Sequence, residues 1–303
     1  MRIALMGQQA FAVAVLKKLK ESGENVIAAY TPPDKSGDPV KEVAGEFGIP
    51  VFRPARMRDP QVIADFAKLE VDLTVMAFVT DIVPEAILNK PRLGTIEYHP
   101  SILPRHRGGS AINWAVIQGD TSTGLSIFWP DGGLDTGPIL LQKFVDIAPD
   151  DTAGSIYFNK LFPLGVEALA EAVDLVKKGI APKLPQDEAK ATYEGLCTDK
   201  DAMIDWALPA SRVYNLIRGC NPRPGATTSF QGKPLKIFDS SLASGNAGKA
   251  GGQVVEVSEG SFTIAAADGA IRVARVQYGS GAKTTAPEFI KLVGLKPGMR
   301  FGA

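Results

Sequence analysis

This chain of 303 residues has two histidines, and both fall in "IEYHPSILPRHRGGSAINW", residues 96–114. Imidazole exchanges protons near neutral pH, so such a stretch is the first place to look for acid–base chemistry. His99 ends an apolar run, and Pro100, Pro104, Gly108 and Gly109, which fix backbone shape, follow it. One strand later, "PDGGLDTGP" sets Asp131 and Asp135 between glycines, where positive φ and close backbone approach to a ligand are open. A carboxylate beside an imidazole orients the ring, raises its pKa or holds a reacting water. Each residue also has a plainer reading: His99 as a satisfied core or surface histidine, Asp135 as a turn cap. His106, between Arg105 and Arg107, is expected to face solvent or an anion of a ligand or partner.

The elements that must position these residues follow from the apolar pattern. "RIALMG", "NVIAAYT", "PVFRP", "VDLTVMAF" and "GTIEYH" read as strands. Helical segments alternate with them, as in "QQAFAVAVLKKLKESG", where Phe11, Val15 and Leu19 recur at i, i+4 and i+8. Such alternation predicts an α/β fold with a mostly parallel open sheet and helices on both faces. His99 then lies at a strand's carboxyl end, where open α/β sheets place their ligands. "SAINWAVIQGD" suits a helix, "GLSIFWP" and "ILLQKFVDI" suit strands, and "SIYFNKLFPLGVEALAEAVDLVKKG" one long amphipathic helix. The expected division is a catalytic domain over residues 1–180, a proline-spotted linker over 181–204 and a second domain over 205–303. There, after a helix at "ASRVYNLIRGC", short alternating strands between Gly/Ser/Asp turns predict a small OB-like β-barrel, with "SGNAGKAGG" as a flexible loop.

Composition narrows the function classes. Hydrophobic residues make up 45% and charged residues 22%, as in soluble globular proteins. No apolar run approaches the roughly 18 residues of a membrane helix, and the N-terminal run is too short for a signal peptide; a cytoplasmic location is expected. Net charge is zero, but residues 205–303 carry 12 basic against 6 acidic residues and the rest 21 against 27. A basic second domain hints at a polyanionic partner. Gly7 is the lone glycine of "GQQAFA", and Gln8 and Phe11 are too bulky for a dinucleotide fingerprint. A P-loop motif and a Gly-x-Ser-x-Gly nucleophile elbow are missing. Two histidines with Cys197 and Cys220 make no zinc site, so no metal is expected, and the cysteines give no disulfide framework and read as ordinary small residues.

"HPSILPRHRG" resembles the His-x-Ser-x-Leu-Pro-x-x-x-Gly motif of folate-dependent formyltransferases, and "GGLDTGPILLQ" resembles that family's aspartate loop. "ATYEGLCTDKDAMIDW", "IRGCNPRPGA" and "LKPGMRF" extend the resemblance over nearly the whole chain. It implies an enzyme acting on 10-formyltetrahydrofolate. His99 would stabilise the oxyanion or shuttle the leaving-group proton, Asp135 would set the protonation of His99, and no metal is required. Backbone groups near Asp81, Ile82, Val83, Asp131, Gly132 and Leu134 would bind the pterin edge, as the family does at matching positions.

Formyltransferases usually read Asn-x-His where this chain has "EYH", so Glu97 stands at the position of an amide donor. An ionised Glu97 cannot donate; protonated, it can, and its strand parity places it on the side of His99. A catalytic and a structural role for Glu97 stay open. "GQQAF", "TPPDKSGDPVKEVA", "AFVTDIVP" and "FPLGVEAL" resemble the hydrolase domain of 10-formyltetrahydrofolate dehydrogenase. "NPRPGA" and the basic second domain are nearer methionyl-tRNA formyltransferase. The formyl acceptor is therefore expected to be water or an amine, with tRNA as the alternative; neither a DNA nor a membrane partner is expected.

Overall fold

The computed structural model describes residues 1–33, 38–245 and 248–302. Residues 34–37 of "TPPDKSGDPVKEVA" and 246–247 of the expected flexible loop lie outside it. In chain order come β1 (Arg2–Gly7), α1 (Gln9–Glu21), β2 (Asn25–Tyr30), α2 (Pro39–Glu46), β3 (Val51–Phe52), α3 (Pro60–Lys68), β4 (Leu73–Ala77), α4 (Glu85–Leu88) and β5 (Thr95–His99). Then follow α5 (Ala111–Gln118), β6 (Ser122–Phe128), β7 (Ile139–Asp146), α6 (Ala153–Ile156) and α7 (Phe162–Lys177). The remainder is α8 (Ala210–Gly219), β8 (Ala226–Phe230), β9 (Lys233–Ile237), β10 (Ser240–Ala243), β11 (Val254–Val257), β12 (Phe262–Ala265), β13 (Ala270–Val273), β14 (Arg275–Tyr278), β15 (Lys283–Thr285) and α9 (Ala286–Val293).

One seven-stranded sheet has the order β3-β2-β1-β4-β5-β6-β7. The first five of these neighbours pair in parallel and β6 runs antiparallel to β5. The mostly parallel α/β architecture expected from the alternating pattern is present. Its two faces are covered differently. Ala4, Met6, Ala28, Tyr30 and Met76 pack in one core with Phe66 of α3 and Ile87 of α4. On the other face Tyr98 of β5 meets Phe11 of α1 at 4.5 Å, and Phe11 meets Phe162 of α7 at 5.4 Å. Because side chains alternate along a strand, Tyr98 facing α1 sends Glu97 and His99 to the opposite side. Gly7 is needed where β1 meets β4: a Cβ there would lie 2.1 Å from the Ala77 carbonyl oxygen.

The long helix expected after β7 is interrupted. α6 and α7 are joined by a π-helical turn at Tyr157–Leu161, just before Pro163. Proline has no N–H to give the preceding turn, and a widened turn absorbs the missing bond.

The chain divides into two compact units: Met1–Gly108 with Gly124–Val145 and Phe158–Tyr193, and Gly109–Thr123 with Asp146–Tyr157 and Glu194–Ala303. The stretch expected as a linker is thus shared between them. In the second unit the strands form two four-stranded antiparallel sheets, β10-β13-β12-β11 and β15-β14-β9-β8. Phe230, Phe262, Phe289 and Phe301 cluster in its core with ring centroids 4.6–6.4 Å apart. Among the described residues no helix is long and apolar enough to cross a membrane.

Candidate active site

β5 carries two of the candidate residues to the edge of the parallel sheet. In register, Glu97 lies beside Met76 of β4 and Phe128 of β6, and His99 beside Ser126. The loop after β5 is tied down locally. The Leu103 N–H donates to Ser126 Oγ at 3.0 Å, Ser126 Oγ–H donates to the Ser101 carbonyl at 2.7 Å, and Ser101 Oγ–H donates to the Arg105 carbonyl at 2.6 Å. The loop then turns at His106, whose φ is +57°, a left-handed conformation that a β-carbon makes rare.

His99 is 6% exposed. Its Nε2 lies 2.8 Å from the His106 carbonyl oxygen. A carbonyl only accepts, so Nε2 carries the hydrogen, and Nδ1 is the nitrogen left for chemistry. Nδ1 faces Asp135 Oδ2 at 3.6 Å. That carboxylate oxygen also accepts the Gly108 N–H at 2.7 Å. Asp135 itself has φ +55°, so the β6–β7 loop holds a strained residue at the site. The loop is closed at its base by the Trp129 N–H donating to the Pro138 carbonyl at 2.9 Å. Gly137 makes that closure possible, since a Cβ there would lie 1.8 Å from the Trp129 carbonyl oxygen.

Glu97 is partly buried on the same face. Burial first, and the neighbouring Asp135 carboxylate second, push its carboxyl up to about 8. A carboxylic acid next to an imidazole and a second carboxylate is therefore neutral near pH 7, a pattern met where proton transfer is needed.

The expected orientation of His106 is corrected by the structure. It is 3% exposed, so it does not face solvent. Its N–H donates to Thr192 Oγ1 at 2.8 Å, and its carbonyl serves His99. Flanking arginines suggested a basic loop, yet Arg107 is fully buried as well. Its guanidinium donates to Gln186 Oε1 at 2.7 and 3.1 Å, to the Glu188 carboxylate at 2.6 and 2.9 Å, and to the Tyr193 hydroxyl. The Glu188 bond raises the Arg107 pKa against the opposing effect of burial, and the same bond lowers that of Glu188.

The remaining candidates lie on two adjacent loops. Asp81 Oδ2 accepts the Met57 N–H at 2.9 Å, and Ile82 is 77% exposed. Val83 packs its side chain in the core beside α3 and α4. Asp131 Oδ1 accepts from the Gly133 N–H at 3.0 Å and the Thr136 hydroxyl at 2.6 Å, which shapes the turn carrying exposed Leu134. Gly132 abuts the start of α4, for a Cβ there would lie 2.3 Å from Glu85 Oε1. A cavity of about 90 Å³ opens beside Gly7, Tyr30, Pro54 and Phe78, and Asp81 and Val83 line it. Glu97, His99 and Asp135 do not.

This geometry can be set beside known proteins. The family description "Formyl transferase" matches residues 1–173, and "Formyl transferase, C-terminal domain" matches residues 197–293. The chain belongs to the formyl transferase family. The cytosolic 10-formyltetrahydrofolate dehydrogenase of Mus musculus is 45% identical over 249 residues, which cover 80% of this chain and 28% of that protein. The chain thus spans under a third of the length of the dehydrogenases it matches. The methionyl-tRNA formyltransferase of Geobacter metallireducens is 36% identical over 308 aligned positions, covering 99% of this chain and 98% of that one. A crystal structure of a HypX variant from Aquifex aeolicus superposes with a TM-score of 0.71 over 98% of this chain and 50% of its own, at 18% identity, which bears on fold alone.

One set of residues around the candidate site went unseen in the sequence. Gln186 Nε2 donates to the Asp135 carbonyl at 2.8 Å and to the Gly137 carbonyl at 2.7 Å, while its Oε1 receives Arg107. Thr192 accepts from Arg107 N–H and donates to the Pro104 carbonyl. Residues 186–193 are thus a strap across both site loops, although "PQDEAKATY" reads as a polar linker. Only the paired motifs, not the strap, carry a local signal.

Proposed function

We propose that this protein moves the formyl group of 10-formyltetrahydrofolate to water, giving formate and tetrahydrofolate, or to a small amine, with His99, Asp135 and Glu97 as its catalytic groups. The observation that carries the reading is the juxtaposition of the buried His99 imidazole and the Glu97 carboxyl on one face of β5 with the Asp135 carboxylate of the β6–β7 loop, 3.6 Å from His99 Nδ1. Water adds to the formyl carbon while Asp135 accepts its proton. The carbonyl oxygen becomes an oxyanion, held by the Glu97 hydroxyl and by His99 Nδ1–H in its imidazolium form. Collapse breaks the bond to N10, and the proton taken from water is delivered to that nitrogen. Formic acid and the free secondary amine leave, so every atom of donor and water is accounted for. General acid–base groups of this kind each supply about 10²–10⁴ in rate. Backbone groups at Asp81, Ile82, Val83, Asp131, Gly132 and Leu134 hold the pterin edge, with Ile82 and Leu134 supplying exposed apolar surface. The 45% identity to a protein named for 10-formyltetrahydrofolate supports the choice of donor.

A second reading, formylation of methionyl-tRNA, is favoured by the end-to-end match to a methionyl-tRNA formyltransferase and by the basic balance of residues 205–303. Following the fate of a labelled formyl group separates the two. Hydrolysis predicts formate equal to the tetrahydrofolate formed, unchanged by added charged tRNA. Formylmethionyl-tRNA in step with donor consumption moves the assignment to the second reading, and a donor that is never consumed sinks both.

A further inference from the structure

The second unit brings the chain's two cysteines together. Cys197 Sγ and Cys220 Sγ are 4.0 Å apart. Cys220 is fully buried at the end of α8, fixed by its N–H donating to the Leu216 carbonyl at 2.9 Å and by the Gly225 N–H donating to its own carbonyl at 2.8 Å. Cys197 is only partly buried and sits in an extended segment just after exposed Leu196. That segment runs along the length of α5: the Cys197 N–H donates to Ser110 Oγ at 3.1 Å, Trp114 Nε1–H to the Gly195 carbonyl at 2.8 Å, and Gln118 Nε2–H to Glu194 at 3.0 Å. One thiol is thus reachable from solvent and its neighbour is held behind it.

We infer that Cys197 and Cys220 form an oxidisable dithiol, which peroxide converts to an intrachain disulfide that braces residues 194–198 to the end of α8. The geometry asks for a modest rearrangement. A disulfide needs its sulfurs about 2.05 Å apart, and rotation of Cys197 on its irregular segment closes the gap while Cys220 stays in place. The thiols also differ as the reaction requires. Their shared hydrogen bond draws Cys197 down, while the same bond and burial push Cys220 up. Cys197 is therefore the group that reacts as thiolate and Cys220 the one that resolves. In the first step the Cys197 thiol and hydrogen peroxide give a sulfenic acid and water. In the second the Cys220 thiol displaces hydroxide from that sulfur, forming the S–S bond and a second water. Two thiols lose two electrons and peroxide gains them. The crosslink joins positions 23 residues apart, so it removes chain entropy from the unfolded state.

The test treats the full chain with hydrogen peroxide and reads free thiols, intact mass and digested peptides. The expected result is loss of both thiols, a mass lower by about two hydrogens, a peptide joining Cys197 to Cys220 within one chain, and full reversal by dithiothreitol. The oxidised protein should melt roughly 5–10 °C higher than the reduced protein. In Cys220→Ser, dimedone should trap a sulfenic acid at Cys197. The inference is overturned if both thiols survive peroxide that oxidises a free-thiol control, if the crosslink joins two chains, or if each cysteine oxidises singly in the wild type. A disulfide that leaves the melting temperature unchanged overturns the bracing role.

Discussion

The two sides of the candidate site are built on different terms. Around His99 and Asp135 the loops are tied down by hydrogen bonds: His99 is bonded to the His106 carbonyl, Asp135 to the Gly108 N–H, and both loops to the strap at residues 186–193. At the rim, Ile82 and Leu134 stand 77% and 60% exposed on turns held by Asp81 and Asp131. In the proposed mechanism, groups held this way need little rearrangement when charge develops, and the exposed apolar rim is what a bound folate would cover. Substitutions in the first should therefore act on turnover and those in the second on binding.

The largest effects test the enclosed side. His99→Ala should lower kcat by about 10³ or more and Asp135→Asn by about 10²–10⁴, with KM for the folate nearly unchanged and the melting temperature within a few degrees of wild type. Steady-state formate release measures both. Turnover retained in either variant would remove the dyad from the mechanism.

Gln186→Ala is the next step down. Gln186 touches no reacting atom in the proposed mechanism, so it is a positioning residue, holding the Asp135 and Gly137 carbonyls while Arg107 holds it. Losing it should let Asp135 drift and cost roughly 10–100-fold in kcat with KM little moved, and Gln186→Glu should not restore the rate because its carboxylate cannot donate to two carbonyls. A fall in KM-dependent terms alone would place Gln186 with the rim instead.

What could be read before the structure follows the same division. Period-2 and period-3.6 patterning placed β5 and its loop because those depend on local apolar spacing. His99 and Asp135 were legible since glycine and proline mark the backbone shapes that bring them together. Burial was not legible. His106 and Arg107 look like a solvated basic pair in sequence, and only the return of residues 186–193 over the loop turns them inward. The Cys197–Cys220 approach depends in the same way on where an irregular segment crosses α5, which no spacing rule encodes.

A smaller effect is expected at the rim. Ile82→Ala and Leu134→Ala should each raise KM for the folate by roughly 5–10-fold, the equivalent of about 1 kcal/mol of apolar burial recovered on binding, while kcat holds. Titration of the folate's fluorescence quenching in His99→Ala reads the same loss without turnover. If kcat falls as well, the rim orders the chemistry and the division between the two sides is wrong.

On the enclosed side Glu97 carries a raised carboxyl pKa, and at pH 7 its substitution should be nearly silent. With its carboxyl pushed up to about 8, Glu97 is a neutral donor through the neutral range, and Gln supplies an amide donor in its place. Glu97→Gln should therefore keep kcat within about threefold at pH 7. Above the inflection the wild type acquires a carboxylate facing both Asp135 and the developing oxyanion, so its kcat should fall with an inflection near 8, a limb that Glu97→Gln flattens. Because the Asp135 charge contributes to the raised value, Asp135→Asn should move the residual inflection downward. Stability carries the same sign. A folded-state value above the ordinary 4.5 means the folded chain keeps a proton the unfolded chain releases, so stability falls as pH rises from that ordinary value and the loss is complete above the folded value. The melting temperature of Glu97→Gln relative to wild type should thus be higher at pH 9 than at pH 5. An alkaline limb unchanged in Glu97→Gln would assign that inflection to another group and leave Glu97 a packing residue of β5.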